Sequence, residues 1–348
     1  MPIFENTKVI VSGATGFVGR AILRELVARG YRVRALARHP ERIEKEWNRV
    51  GCERRQHSQI EFCAADTTKP ASLRGVCDGA QAVIHLVGAI SQTPQLPFEK
   101  IHVESTANLL KEAKAASVRR WIQMSALGTR PHAASLYHQT KWQAEELVRA
   151  SGLDWTIFRP SIIFGKEDRF INLFKRFFQP PISCFTGGAV ACFGDGTNRL
   201  QLIAVEDVAH CFVSALSNPL AIGETFDLCG SSYTFSEILE KIAHSLGLKA
   251  HALHKKHGDS SICFVPFYLL IGKRPCIFSI PWPLAYVLAG IIETSREALW
   301  HVLPSNLRYR LPPPFLTPDM LTMLGEDQFG DSTPAQEIFN FKPRPWPS

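Results

Sequence analysis

Tyr137 and Lys141 stand four residues apart in Leu136-Tyr137-His138-Gln139-Thr140-Lys141-Trp142, so a helix through this stretch carries a phenol and an ammonium on one face. A nearby ammonium brings the phenol's pKa down toward working pH, and a lysine so placed can also hold sugar hydroxyls. The pair suits acid–base chemistry at a carbonyl or alcohol oxygen. A second group lies near the start, in Val9-Ile10-Val11-Ser12-Gly13-Ala14-Thr15-Gly16-Phe17-Val18-Gly19. Here Gly13 permits a tight strand-to-helix reversal, Gly16 lets a pyrophosphate approach the backbone, and Gly19 lets the following helix pack closely on the strand. With Thr15, Phe17 and Val18 between them, these glycines place phosphates on a helix N-terminus. Either motif alone is common. Together in one chain they point to a nicotinamide dinucleotide and the chemistry it serves.

The elements that must position these residues are legible as a rhythm. Apolar runs recur at Val9–Val11, Arg32–Ala37, Ile60–Ala64, Ala82–Val87, Arg120–Met124 and Trp155–Phe158, each separated by a segment long enough for a helix. In the stretch 102–116 the spacing puts Val103, Ala107, Leu110 and Ala113 on one stripe, as in a helix covering a sheet. The fold expected is α/β, a Rossmann-type doubly wound parallel sheet with a smaller C-terminal α/β lobe. The expected divisions are a dinucleotide domain over 1–160 with a strand exchanged from as far as about 230, a lobe over 161–311, and a Pro-rich tail over 312–348. Thr234 or Ser236 would cap a helix in the lobe.

About twenty residues beyond the glycine turn, where an NAD site carries an acid for the ribose 2′-hydroxyl, this chain has Arg38, with Arg34 and His39 nearby. Cations there suit a 2′-phosphate, which favours NADP(H) while leaving NAD(H) as an alternative. Asp66, ending the third strand, either accepts from the adenine amine or caps the next turn.

Composition narrows the class further. The 348 residues are 45% hydrophobic, enough for a large core. The nine cysteines contain no C-x-x-C pair, which points to neither a disulfide framework nor a structural zinc site and fits a reducing compartment. The first residues lack the apolar core of a signal peptide, so a cytoplasmic location is expected. Of the net charge of +7, much lies between Arg20 and Arg55, where eleven Lys or Arg face five Glu; an extended basic stripe for nucleic acid is absent. The histidines at 251, 254 and 257 step by three with Lys255 and Lys256 between them, so no metal site is expected. From Cys276 to Ile292 seventeen residues carry no charge, but Pro281 and Pro283 interrupt the run. Too short and broken to span a bilayer, this run and the neighbouring segment 262–271 would rest on a membrane surface, dock on a membrane partner or cover a lobe.

These motifs together resemble the short-chain dehydrogenase/reductase superfamily in its extended and atypical branches, over about residues 7–248. The resemblance rests on the glycine turn, Asp66, His85-Leu86-Val87-Gly88, Met124-Ser125-Ala126, Tyr137-x-x-x-Lys141, Arg159-Pro160-Ser161-Ile162-Ile163-Phe164-Gly165 and Val205-Glu206-Asp207-Val208-Ala209. The stretches 151–160 and 165–174 are similar to the nucleotide-binding accessory subunit of respiratory complex I and its bacterial relatives. The resemblance implies Val87, Gly88 and Pro160 around the cofactor, Lys141 on its ribose, and Tyr137, Lys141 and Ser125 as the catalytic set. One departure stands out: the family's hydroxyl after the fifth strand aligns with Ala126, leaving Ser125 or Ser135 to replace it. The function implied is a dinucleotide-binding oxidoreductase acting on a lipid- or quinone-type carbonyl or alcohol, peripheral to the cytoplasmic face of the inner membrane or attached to a respiratory complex. The alternatives are an assembly or stability factor that holds the dinucleotide structurally, and a sugar-nucleotide epimerase or dehydratase.

Overall fold

A computed structural model describes residues 7–49, 59–180, 189–248, 251–252, 276–304, 314, 316–327 and 329–346. The chain forms two compact units. The first comprises residues 1–163, 203–230 and 329–344, and the second the remainder.

The first unit is built on a seven-stranded sheet. Its strands are β1 (Lys8–Ser12), β2 (Arg32–Ala37), β3 (Ile60–Ala64), β4 (Ala82–His85), β5 (Arg120–Met124), β6 (Asp154–Pro160) and, after three strands outside this sheet, β10 (Glu224–Leu228). They lie in the order β10-β6-β5-β4-β1-β2-β3, and every pair is parallel. The order reverses between β1 and β4, and in open α/β sheets such a switch point is where ligands bind. Helices α1 (Phe17–Ala28), α2 (Pro40–Arg49), α3 (Ser105–Ala115), α4 (Leu136–Arg149), α6 (Val205–Ala215) and α10 (Thr333–Phe339) accompany it.

Both sheet faces are buried, which is why the strands read as near-continuous apolar runs rather than alternating ones. On one face Ile10, Leu36, Val83, Trp121 and Ile157 pack against Leu109, Leu110 and Ala113 of α3 and Val148 of α4. On the other, Val9, Val11, Val33, Ile84, Ile122 and Phe158 meet Ile22, Leu23 and Leu26 of α1 and Val208 and Phe212 of α6.

One expectation needs correction here. The stripe foreseen over 102–116 is displaced, because a π-helical turn at Glu99–Glu104 precedes α3 and its wide turn changes the helix phase. Ala107 is exposed, and the buried face runs instead through His102, Ser105, Thr106, Leu109, Leu110 and Ala113. Within the segment 312–348 the described residues fall in both units. Residues 329–344 belong to the first unit, where Phe339 packs against Phe158 and Phe226 (5.4 and 5.1 Å between ring centroids), and residues 316–327 belong to the second.

In the second unit, β8 (Ala189–Phe193), β12 (His251–Ala252) and β13 (Cys276–Ile280) form a parallel sheet, and β11 (Ser232–Thr234) runs antiparallel to β9 (Arg199–Ala204). Its helices are α5 (Phe170–Phe177), α7 (Phe235–Ser245), α8 (Trp282–Val302) and α9 (Pro318–Gly325). Thr234 is the cap of α7, in a reciprocal capping box with Glu237. Phe235 packs on Phe174 (5.4 Å) and stacks with Phe193 (6.1 Å). The uncharged run from Cys276 divides at Pro281 into β13 and the first half of α8. Ala285 and Ala289 of α8 pack on Leu316 and Leu321, whereas Leu284, Val287, Leu288 and Ile291 form an exposed stripe. No helix among the described residues is long and apolar enough to cross a membrane. Most of the histidine cluster and the segment 262–271 lie outside the described residues.

Candidate active site

The glycine turn follows β1 at the switch point. Gly13 has φ +74°, and a Cβ there would meet the backbone of Leu86 at 3.2 Å. At Gly19 a Cβ would fall 2.4 Å from the Gly13 carbonyl oxygen and 2.8 Å from Ala14, which no side chain can do. Gly16 is the N-cap of α1 and brings no side-chain cap, so the amides of its first turn, at Phe17 and Val18, receive no side-chain hydrogen bond from it. Thr15 and Gly16 are exposed, and the Thr15 carbonyl accepts from Arg20 Nη1 (2.6 Å).

The cationic group foreseen after β2 is smaller than the sequence suggests. Arg38 is exposed just beyond the strand end. Arg34, however, is committed elsewhere: its Nε pairs with Glu61 (3.0 Å) and its Nη1 donates to the Val76 carbonyl (2.7 Å). His39 pairs with Glu41 at 3.4 Å. Asp66 closes a local turn, its Oδ1 accepting from the amide and hydroxyl of Thr68 (3.0 and 2.7 Å).

Lys141 projects from α4 into the interior and is 3% exposed. Its Nζ donates to the Met124 carbonyl at the end of β5 (3.2 Å) and would lie 2.8 Å from a Cβ at Gly88. Burial lowers its pKa to about 8, opposed by the Glu145 carboxylate one turn further along α4. Tyr137 is half-buried on the same helix, and Lys141 Nζ lies 6.0 Å from its ring centroid. Glu145 is itself fully buried and held by Arg149 (2.7 Å) and by both Nε and Nη2 of Arg159 (2.9 and 2.6 Å). Arg159 extends from β6, next to the buried Pro160.

The two serines foreseen beside Tyr137 are engaged in other ways. Ser125 is buried, its hydroxyl donating to Thr129 (3.3 Å) and its amide to the Phe158 carbonyl (2.7 Å). Ser135 is the N-cap of α4, bonded to the His138 amide (3.2 Å) and ring (2.9 Å). Ala126, the aligned position, is half-buried.

A scan against family models matches residues 13–174 to the NAD(P)H-binding family. Among curated relatives, the mitochondrial NADH dehydrogenase [ubiquinone] 1 alpha subcomplex subunit 9 of Arabidopsis thaliana is 30% identical over 83% of this chain and 70% of its own. The chain belongs to this NAD(P)H-binding family. A ceramide reductase of Caulobacter vibrioides is 29% identical over 69% of this chain and 71% of its own. Solved structures share the fold at lower identity. MoeE5 in complex with UDP-glucose and NAD is 18% identical with a TM-score of 0.63, the match covering 97% of this chain and 94% of that one. A UDP-glucose 4-epimerase of Thermotoga maritima is 17% identical with a TM-score of 0.62, over 97% and 94%.

Two buried histidines around the site were given no role from the sequence. His102, on the π-turn, bonds Thr140 Oγ1 through Nδ1 (2.9 Å) and accepts the Ala89 amide on Nε2 (3.3 Å). His85, ending β4, bonds Ser12 Oγ through Nδ1 (2.6 Å), and its buried Nε2 has no hydrogen-bond partner among the described residues. Burial and the neighbouring Lys141 push the pKa of His85 down to about 3 and that of His102 to about 2, so both are neutral. The signal for His102 was the doublet Leu109-Leu110: read backwards in steps of three and four, it leads to Thr106 and His102 rather than Val103.

Proposed function

We propose that this chain is an NADP(H)-dependent oxidoreductase that reduces a carbonyl, or oxidises the corresponding alcohol, of a lipid- or quinone-type molecule. The observation that carries this reading is the buried Lys141 beside Gly88, one helical turn from Tyr137 and following a side-chain-free phosphate turn. The turn suits a pyrophosphate because positions 13, 16 and 19 offer no Cβ and the α1 N-terminus is left without a side-chain cap. Thr15, Phe17 and Val18 would complete that cradle. Arg38 would hold the 2′-phosphate, Asp66 would accept from the adenine with its remaining oxygen, and Val87, Gly88 and Pro160 would line the nicotinamide end. A nicotinamide held there would supply the hydride chemistry. Tyr137 would give the proton to, or take it from, the substrate oxygen, and Lys141 would hold ribose hydroxyls while favouring the phenolate.

The ceramide reductase relative supports the substrate class, and the subunit 9 relatives together with the exposed stripe of α8 support attachment to the cytoplasmic face of the inner membrane or to a respiratory complex there. A second reading has its own observation: with Ser125 and Ser135 both committed to internal hydrogen bonds, the substrate oxygen lacks the family's hydroxyl partner. In that reading the dinucleotide stabilises an assembly factor without turnover.

NADPH consumption with long-chain ketones and ubiquinone analogues separates the two. Turnover that Tyr137→Phe lowers about 100-fold or more supports the enzyme. A bound dinucleotide with no consumption, and a deletion strain rescued equally by Tyr137→Phe, supports the scaffold. Recovery of the protein in the membrane fraction, lost on Leu288→Glu and Ile291→Glu, checks the attachment.

A further inference from the structure

Both nitrogens of His102 are spoken for, and by different elements. The Ala89 amide, in the loop after β4, can only donate, so Nε2 accepts and carries no proton. The proton therefore sits on Nδ1 and is donated to Thr140 Oγ1, whose own hydrogen goes to a carbonyl in the preceding turn of α4, Leu136 or Tyr137 at 3.0 Å each. The ring is stacked on Phe98 (5.2 Å, 14° between planes) and stands edge-on to Tyr137 (5.3 Å, 88°). It is 1% exposed. The turn that carries it is π-helical. Ser105 and Thr106 donate back to the carbonyls of Ile101 and His102 there, the latter at 2.6 Å.

We propose that His102 is the positioning residue of the site, locking the Gly88–Ala89 loop to the Tyr137–Lys141 face of α4 through both ring nitrogens. The proposal rests on the reading of this unit as a dinucleotide-dependent proton-transfer site. One hydrogen bond fixes the height of the loop under which Lys141 Nζ lies, and the other fixes the rotation of α4. The ring edge then limits the tilt of the Tyr137 phenol. A protonated imidazole would lose the Ala89 bond and place a second cation beside Lys141, which the dry setting prevents. The charged and titratable groups that face Lys141 are His85 from β4, His102 from the π-turn, and Tyr137 and Glu145 from its own helix. His102 bonds both the loop and the helix.

The test compares wild-type protein with His102→Phe, which keeps a flat ring and loses both nitrogens, and with His102→Gln, which restores a donor and an acceptor. Thr140→Val, of nearly unchanged shape, removes one bond and serves if His102→Phe fails to fold. The readouts are NADPH affinity and the titration of the Lys141 amine, followed by its rate of acylation against pH. His102→Phe and Thr140→Val are expected to weaken NADPH about tenfold. Both should move the Lys141 midpoint away from about 8, with His102→Gln between them and wild type. Lower thermal stability with affinity and midpoint unmoved would make His102 a packing residue and overturn the proposal. Wild-type protein that does not bind NADPH would instead remove the reading on which it rests.

Discussion

Gly88 and Lys141 occupy each other's space: a single carbon added to Gly88 would stand 2.8 Å from the lysine Nζ. The lysine end is pinned by the Met124 carbonyl, so it has little room to yield. Gly88→Ala is therefore expected to displace Nζ and break that bond. NADPH affinity should fall about tenfold while the melting temperature changes by only a few degrees, since the clash is with a side-chain end rather than backbone. Calorimetric titration together with a thermal scan checks this, and unchanged affinity would separate Lys141 from cofactor binding.

Gly19 and Gly30 make a matched pair for stability. Gly30 has φ +84° with nothing among the described residues within 4 Å of a Cβ, so Gly30→Ala meets backbone strain, about 1 kcal/mol. Gly19 has no such strain, but its Cβ would press on the backbone of Gly13 and Ala14, so Gly19→Ala should cost about 3 kcal/mol. Urea unfolding gives both values. The reverse ranking would mean that the α1–β1 contact is looser than described.

The scaffold of this site was legible from the sequence because parallel strands buried on both faces leave apolar runs, and a glycine turn between one such run and a helix has few other uses. Tyr137 and Lys141 were legible because helical spacing is local. What sequence could not show was commitment. Arg34 alternates with buried strand residues like any edge cation, yet its partner Glu61 lies across the β2–β3 pairing, and Ser135 is indistinguishable from a substrate-binding hydroxyl until it is seen to cap α4. His102 was hidden by the π-turn, which shifts the helix phase and moves the buried stripe off the ideal period.

The two neutral histidines set the acid side of the stability profile. In the unfolded chain each titrates near 6.5, whereas in the folded unit His85 stays neutral to about 3 and His102 to about 2. Their folded pKa values are depressed, so the unfolded state binds more protons below pH 6.5. The stability they confer is complete above that value and is lost as pH falls, at up to roughly 1.4 kcal/mol per pH unit for each. Between pH 6.5 and 5, wild type should lose stability more steeply than His102→Gln, by about one proton in the slope. Equal slopes would place His102 in contact with solvent.

The most direct test of the account is Gly16→Asp. Gly16 is the N-cap of α1 with φ −71° and ψ 166°, a position where aspartate is favoured, and its Cβ would touch only the Gly13 carbonyl oxygen, at 3.2 Å. The substitution should therefore leave the fold as stable as before while putting a carboxylate where the pyrophosphate would lie. In calorimetric titration, wild type is expected to bind NADPH about tenfold or more tightly than NADH, and Gly16→Asp to lose at least about 100-fold of that affinity at an unchanged melting temperature. NADPH binding as tight in Gly16→Asp as in wild type would contradict the account, because the dinucleotide would then sit somewhere other than the turn after β1.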